Sequence, residues 1–128
     1  MKFDWSEYFN LAQELAGTSE EAKLRSAVSR AYYAVFCLAR NYCRDIQQDP
    51  QLSGNKAYKI NPHQYVPQKF KNQSKSQTMI EIGEDLTRLR KMRNQADYAD
   101  TISNLQQQAR NALMLAQNVI SGLNELTK

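Results

Sequence analysis

The chain has 128 residues, 17 basic and 13 acidic, for a net charge of +4, with one histidine and two cysteines. That length fits a single domain over 1–128, large enough to bury roughly two-thirds of its unfolded surface without a disulfide or a metal. One histidine excludes most metal centres, no apolar run is long enough to cross a bilayer, and the mild positive charge permits an anionic partner without demanding one.

Glycine (4) and proline (3) are scarce, and good helix formers abound, so the composition leans towards helix. The start, Met-Lys-Phe-Asp-Trp-Ser-Glu, turns acidic too early for a secretory signal, and the expected location is the cytoplasm. Cys37 and Cys43 sit six positions apart in one helical pattern. They fall on different faces, about 9 Å apart along the axis, and are expected as free buried thiols.

In chain order, Asp4 and Glu7 have the form of a capping box that starts a first helix with the apolar stripe Trp5, Tyr8, Leu11, Ala12 and Leu15. Gly17 stops it. Thr18 and Glu21 form another capping pair. Helical spacing then runs through Ala22, Arg25, Val28, Ala31, Tyr32, Val35, Leu38, Ala39, Tyr42 and Ile46. Residues 29–40 are apolar around most of the circumference, which predicts a central helix. Asp49-Pro50 ends it.

Residues 50–77 hold all three prolines and few aliphatics, and predict a long loop. One short helix near 62–70, distorted by Pro67, fits inside it. A third helix is expected over 78–97, with Met79, Ile82, Leu86, Leu89, Met92 and Ala96 inward. After a break at 99–102, Ser103 with Gln106 caps a fourth, striped by Leu105, Ala109, Ala112, Leu113, Ala116, Val119, Ile120 and Leu123. The predicted fold is all-α: an up-down four-helix bundle with one long connection between the second and third helices.

No Gly-rich phosphate loop and no zinc-type Cys/His spacing occurs, so neither cofactor nor metal is expected. His63, set between prolines in the long connection, reads as a surface or loop-packing residue. It becomes a catalytic base only if that connection folds over Arg93. Basic residues cluster at Arg88, Arg90, Lys91 and Arg93, and again at Lys56, Lys59, Lys69, Lys71 and Lys75. Arg93, four positions before Asp97, reads either as a phosphate-binding guanidinium or as an ordinary helix ion pair. Tyr32 and Tyr33 read as core packing or as a base-stacking platform. Tyr98 reads as a cap on the core, and Arg30 and Arg40 as surface charges or partners of Asp97.

Three segments together resemble the HEPN (higher eukaryotes and prokaryotes nucleotide-binding) family. They are Arg25…Ser29-Arg30-Ala31-Tyr32-Tyr33-Ala34-Val35-Phe36, then His63-Gln64-Tyr65-Val66…Phe70, and Ile82-Gly83…Leu86…Leu89-Arg90…Arg93-Asn94-Gln95-Ala96-Asp97-Tyr98. The resemblance implies a helical bundle that forms a homodimer. It also implies binding of nucleotide or RNA, and a toxin–antitoxin pairing with a small nucleotidyltransferase. Many members are metal-independent ribonucleases whose signature is an arginine, a polar residue and, about one turn on, a histidine. Here Arg93 and Asn94 match, while Tyr98 falls where the histidine belongs. A tyrosine, with a pKa near ~10, is a poor base at neutral pH, so ribonuclease activity is expected to be weak or lost. The residues implied at the site are Arg93, Asn94, Asp97 and Tyr98. Arg88, Arg90, Lys91, Lys69 and Lys71 are implied for nucleic-acid backbone. The alternatives are a protein-interaction module and an active ribonuclease toxin.

Overall fold

A computed structural model describes residues 2–73 and 75–128. Five α-helices follow one another: α1 Ser6–Ala16, α2 Glu21–Asn41, α3 Pro62–Lys71, α4 Gln77–Tyr98 and α5 Leu105–Leu126. No strand occurs among the described residues. The all-α bundle expected from the sequence is what forms, with α3 as the extra short helix.

Helix α2 is the centre, packing against α1, α3, α4 and α5. Its segment from Ala31 to Ala39 has apolar residues on every face, and Ala31, Tyr32, Ala34, Val35 and Ala39 are all wholly enclosed. Only a helix surrounded by others can bury so wide a face. Directions follow from end contacts. Arg25, near the start of α2, bonds the last carbonyls of α4, so these helices run antiparallel. Gly122, late in α5, abuts Ile82 and Thr78, early in α4. Leu86 and Leu89 of α4 are fully buried and contribute about 2 kcal/mol each through removal of apolar surface from water.

Three predicted caps are replaced. Asp4 does not start α1; its carboxylate accepts from the Ser6 amide and hydroxyl in a turn ahead of a helix that begins at Ser6. The Thr18 hydroxyl accepts from the Glu20 amide, and α2 begins at Glu21. The residue before α5 is Asn104, left-handed at φ 54°, a conformation its short amide side chain tolerates. Within α1 the buried side contains Phe9, while Leu11 faces outward. Ala22 is exposed at the first turn of α2. Ile46 is exposed because the chain widens into a π turn over Tyr42–Ile46, where the Gln47 amide reaches back to the Tyr42 carbonyl and rotates Ile46 off the α2 stripe.

The stretch read as a long loop is largely structured. Short 3-10 turns occupy Pro50–Leu52 and Gly54–Tyr58, and α3 follows. Asn61 starts α3 by accepting from the His63 amide, and Pro62 occupies the first turn, where its missing N–H costs nothing. Pro67 lies inside α3 without ending it. Two features fasten α3 down. Gly83 of α4 admits it so closely that a Cβ there would lie 2.7 Å from the Pro67 carbonyl oxygen. The buried Asp49 carboxylate accepts from Tyr65 (2.5 Å), Lys69 (2.6 Å) and the Gln51 amide (2.9 Å). Burial works against that charge, but these donors outweigh it and hold the Asp49 pKa below its ordinary value. Both cysteines are free and buried, as the spacing required.

Candidate functional site

Fastening α3 against α4 and α2 brings His63 to the middle of the bundle's α2–α3–α4 side. Its ring stacks on Phe36 (centroids 4.3 Å apart, 14° between planes). Its Nδ1 lies 2.6 Å from the hydroxyl of Tyr32. Burial holds the Tyr32 pKa well above its ordinary value, so the phenol keeps its proton, and it donates to Nδ1 or accepts from Nδ1–H according to the imidazole tautomer. Burial first, then the positive charges of Arg93, Arg90 and Arg40, push the His63 pKa below 6.5. The connection thus does fold towards Arg93, and His63 is a core-anchored residue, not a loop-surface one.

Tyr32, together with Tyr33, also supports Arg93. Its guanidinium carbon sits 5.4 Å from the Tyr32 ring centroid and 5.2 Å from that of Tyr33. This arrangement lets the aromatic faces stabilise a cation. The side chain is 11% exposed, and its Nε is buried without a hydrogen-bond partner among the described residues. Asp97 approaches at 3.6 Å, an ion pair too long to be a hydrogen bond, and also takes a 3.5 Å contact from the Ser29 hydroxyl. Arg25 fixes the end of α4 by donating to the carbonyls of Ala96, Ala99 and Asp100. A cation there complements the helix dipole and satisfies orphan carbonyls.

A cleft of about 140 Å³ opens between α3 and α4. His63, Gln64, Gln68 and Lys71 line it from α3, and Thr87 and Arg90 from α4. Neither Lys71 nor Arg90 makes an ion pair with a described residue. The remaining implied residues scatter. Lys69 is held by Asp49, and Arg88 pairs with Asp85 at 3.2 Å. Lys91 and Asn94 face solvent. Tyr98 is 76% exposed and does not cap the core. Arg30 and Arg40 do not reach Asp97; their guanidinium groups lie over the rings of Tyr8 and Trp5, and Arg40 also donates to Asn41. The structure therefore gathers Arg93, Asp97, Arg90 and Lys71 around the Tyr32–His63 pair.

The pair itself was missed in the sequence, although a signal existed. Asn61-Pro62 is a helix start, and His63, Val66 and Phe70 then fall at i, i+3 and i+7, one face of a helix. That spacing places the histidine on the buried side. Its partner on α2 was not visible, because nothing in the sequence sets the register between two helices.

The HEPN domain matches residues 6–126. An uncharacterized protein of the archaeon Methanocaldococcus jannaschii is 30% identical over 112 residues, a match covering 79% of this chain and 63% of that protein. The chain thus spans less than two-thirds of that relative's length. No solved structure matches it significantly. With the helical order, the α2 aromatic run and the α4 motif all inside the matched region, the chain belongs to the HEPN domain family.

Proposed function

We propose that the chain is a nucleotide- and RNA-binding module. In this reading it is a dimer, works beside a nucleotidyltransferase partner of toxin–antitoxin type, and has weak or no ribonuclease turnover. One observation carries the binding reading. The Arg93 guanidinium lies over the rings of Tyr32 and Tyr33, only 11% exposed, with its Nε unpartnered among the described residues and Asp97 a loose partner at 3.6 Å, while Arg90 stands nearby in the cleft beside His63 without a carboxylate. Such a site has an excess of positive charge in a medium less polar than water, and attracts an anion. Arg93 presents the phosphate-matching guanidinium, Asp97 restrains it, Asn94 adds a polar contact, and exposed Tyr98 offers a ring for a base to stack on. Arg88 and Lys91 add surface charge for backbone phosphates.

The tautomer of His63 argues for binding over catalysis. A base that accepts the RNA 2′-hydroxyl proton needs a bare ring nitrogen facing substrate. In this reading the Tyr32 phenol donates to Nδ1, so the remaining nitrogen bears hydrogen and can only donate.

The test uses a mixed-sequence RNA in EDTA, with binding and cleavage read on the same samples. RNA stays intact, and Arg93→Ala weakens binding about tenfold, the effect of losing one charge-assisted contact. Cleavage that disappears in Arg93→Ala or His63→Ala makes the protein an enzyme and overturns the reading. Binding unchanged in Arg93→Ala moves the site elsewhere.

A further inference from the structure

We infer that the cleft between α3 and α4 is a seat for a terminal phosphate: a phosphomonoester dianion held by Lys71 and Arg90, with His63 donating from Nε2. This rests on the nucleotide-binding reading and adds the chemical class that one part of the surface selects.

The cleft is built from a rigid wall. The close approach at Gly83 fixes the spacing of α3 and α4. Asp49, through Tyr65 and Lys69, pins α3 from its other side. Lys71 and Arg90 stand on opposite walls, one from each helix, and both are only partly exposed. Three other partly buried cations are matched at 3.3 Å or less: Arg25 to Glu21, Arg44 to Asp45 and Lys69 to Asp49. Two half-buried cations facing one cavity without a carboxylate repel each other, and this arrangement is relieved by an anion between them. The uncharged polar residues Gln64, Gln68 and Thr87, together with Pro67, complete the lining.

Charge and size narrow the ligand. Two cations match the two negative charges that a phosphomonoester carries above its second pKa of about 6. A phosphodiester carries one. The volume of about 140 Å³ admits a phosphate but lies well below the roughly 300–1,000 Å³ of sites that enclose a larger organic ligand. The attached nucleoside must therefore lie outside the cleft. His63 contributes as a neutral donor, since Arg93, Arg90 and Arg40, together with burial, disfavour its charged form.

His63 is the only histidine, so its ring protons give one resolved NMR reporter beside the cleft. The full chain, held at one pH and ionic strength, is titrated with inorganic phosphate, dimethyl phosphate, 5′-AMP and adenosine. Inorganic phosphate and 5′-AMP should shift the His63 resonance saturably. Dimethyl phosphate should bind about tenfold more weakly, having one negative charge fewer, and adenosine should leave the resonance unmoved. The Lys71→Gln/Arg90→Gln double variant keeps the side-chain stems, including the Lys71 Cγ that lies against Gly83, and should lose the phosphate response. A non-saturating response, equal affinity for the diester, or an undiminished response in the double variant overturns the inference. RNA binding lost in Arg93→Ala with no phosphate response sinks this seat alone. A phosphate response without RNA binding sinks the RNA reading alone.

Discussion

Tyr32→Phe removes one oxygen from the centre of the site and tests the reasoning about His63. Tyr32 is fully buried, and its hydroxyl sits 2.6 Å from His63 Nδ1. Phenylalanine keeps the ring that packs on Phe36 and lies under Arg93. The loss is then a single hydrogen bond. A fully stranded buried acceptor costs about 1–3 kcal/mol, but His63 is half-exposed and water can reach it, so about 1 kcal/mol is expected. For a domain of this size that lowers Tm by about 4 °C. Tyr32→Ala would instead open a cavity and cost about 3–5 kcal/mol, which says nothing about the hydrogen bond.

The more telling change is in the imidazole. In the wild type, ¹⁵N shifts should report hydrogen on Nε2 and a bare Nδ1. Without the phenol, Nδ1 can take up a proton more easily, so the His63 pKa should rise towards its ordinary value. The wild-type folded pKa lies below 6.5. Between those two pH values the unfolded chain binds more protons than the folded one, so stability rises with pH there, is complete above 6.5, and is lost as pH falls through the folded pKa. Tyr32→Phe should flatten that slope. Wild-type spectra with hydrogen on Nδ1 would refute the tautomer argument and return His63 to the list of bases, and an unchanged pH slope in the variant would refute the role given to the phenol.

Gly83→Ala places a methyl 2.7 Å from both the Pro67 carbonyl oxygen and Lys71 Cγ. Because backbone must move, a loss of about 1–3 kcal/mol is expected in urea melts, together with a weakened phosphate response at His63. Asp49→Ala leaves Lys69 and the Tyr65 hydroxyl without their buried acceptor and should cost about 3–5 kcal/mol by thermal unfolding. Both cysteines are buried, and the Cys43 thiol is pushed up to about 11 by burial. Neither should react with a thiol reagent at pH 8 until denaturant is added, and fast labelling of the native protein would contradict the packing of the π turn.

Helix order and buried faces were legible wherever a stripe ran long. The inward residues of α4 and α5 are nearly those the spacing predicts, because each helix buries one side against a continuous neighbour. Ends were less legible. Asp4 and Thr18 carry the right side chains for caps, yet each bonds an amide two residues on in a turn outside the helix. Short polar side chains satisfy either geometry, and sequence does not choose between them. Ile46 was misplaced because a single π turn shifts the angular phase of every residue after it.

The site divides along the same physical line. Arg93 and Asp97 lie on one helix, four residues apart, so their pairing follows from helix geometry alone. His63 meets Tyr32 across 31 positions, and Lys71 faces Arg90 across a helix–helix contact set by one glycine. Such pairings depend on interhelical register, which composition and periodicity do not encode. The consequence for chemistry is large. Read along the chain, the absence of a histidine after Arg93 leaves the site without a proton-handling group. Read in three dimensions, a histidine is present near Arg93, but a buried phenol occupies the nitrogen that in a catalytic histidine usually points its own proton at a fixed acceptor. Restoring a base at this site therefore takes more than a histidine at position 98. It also takes an acceptor in place of Tyr32 that turns the imidazole tautomer over.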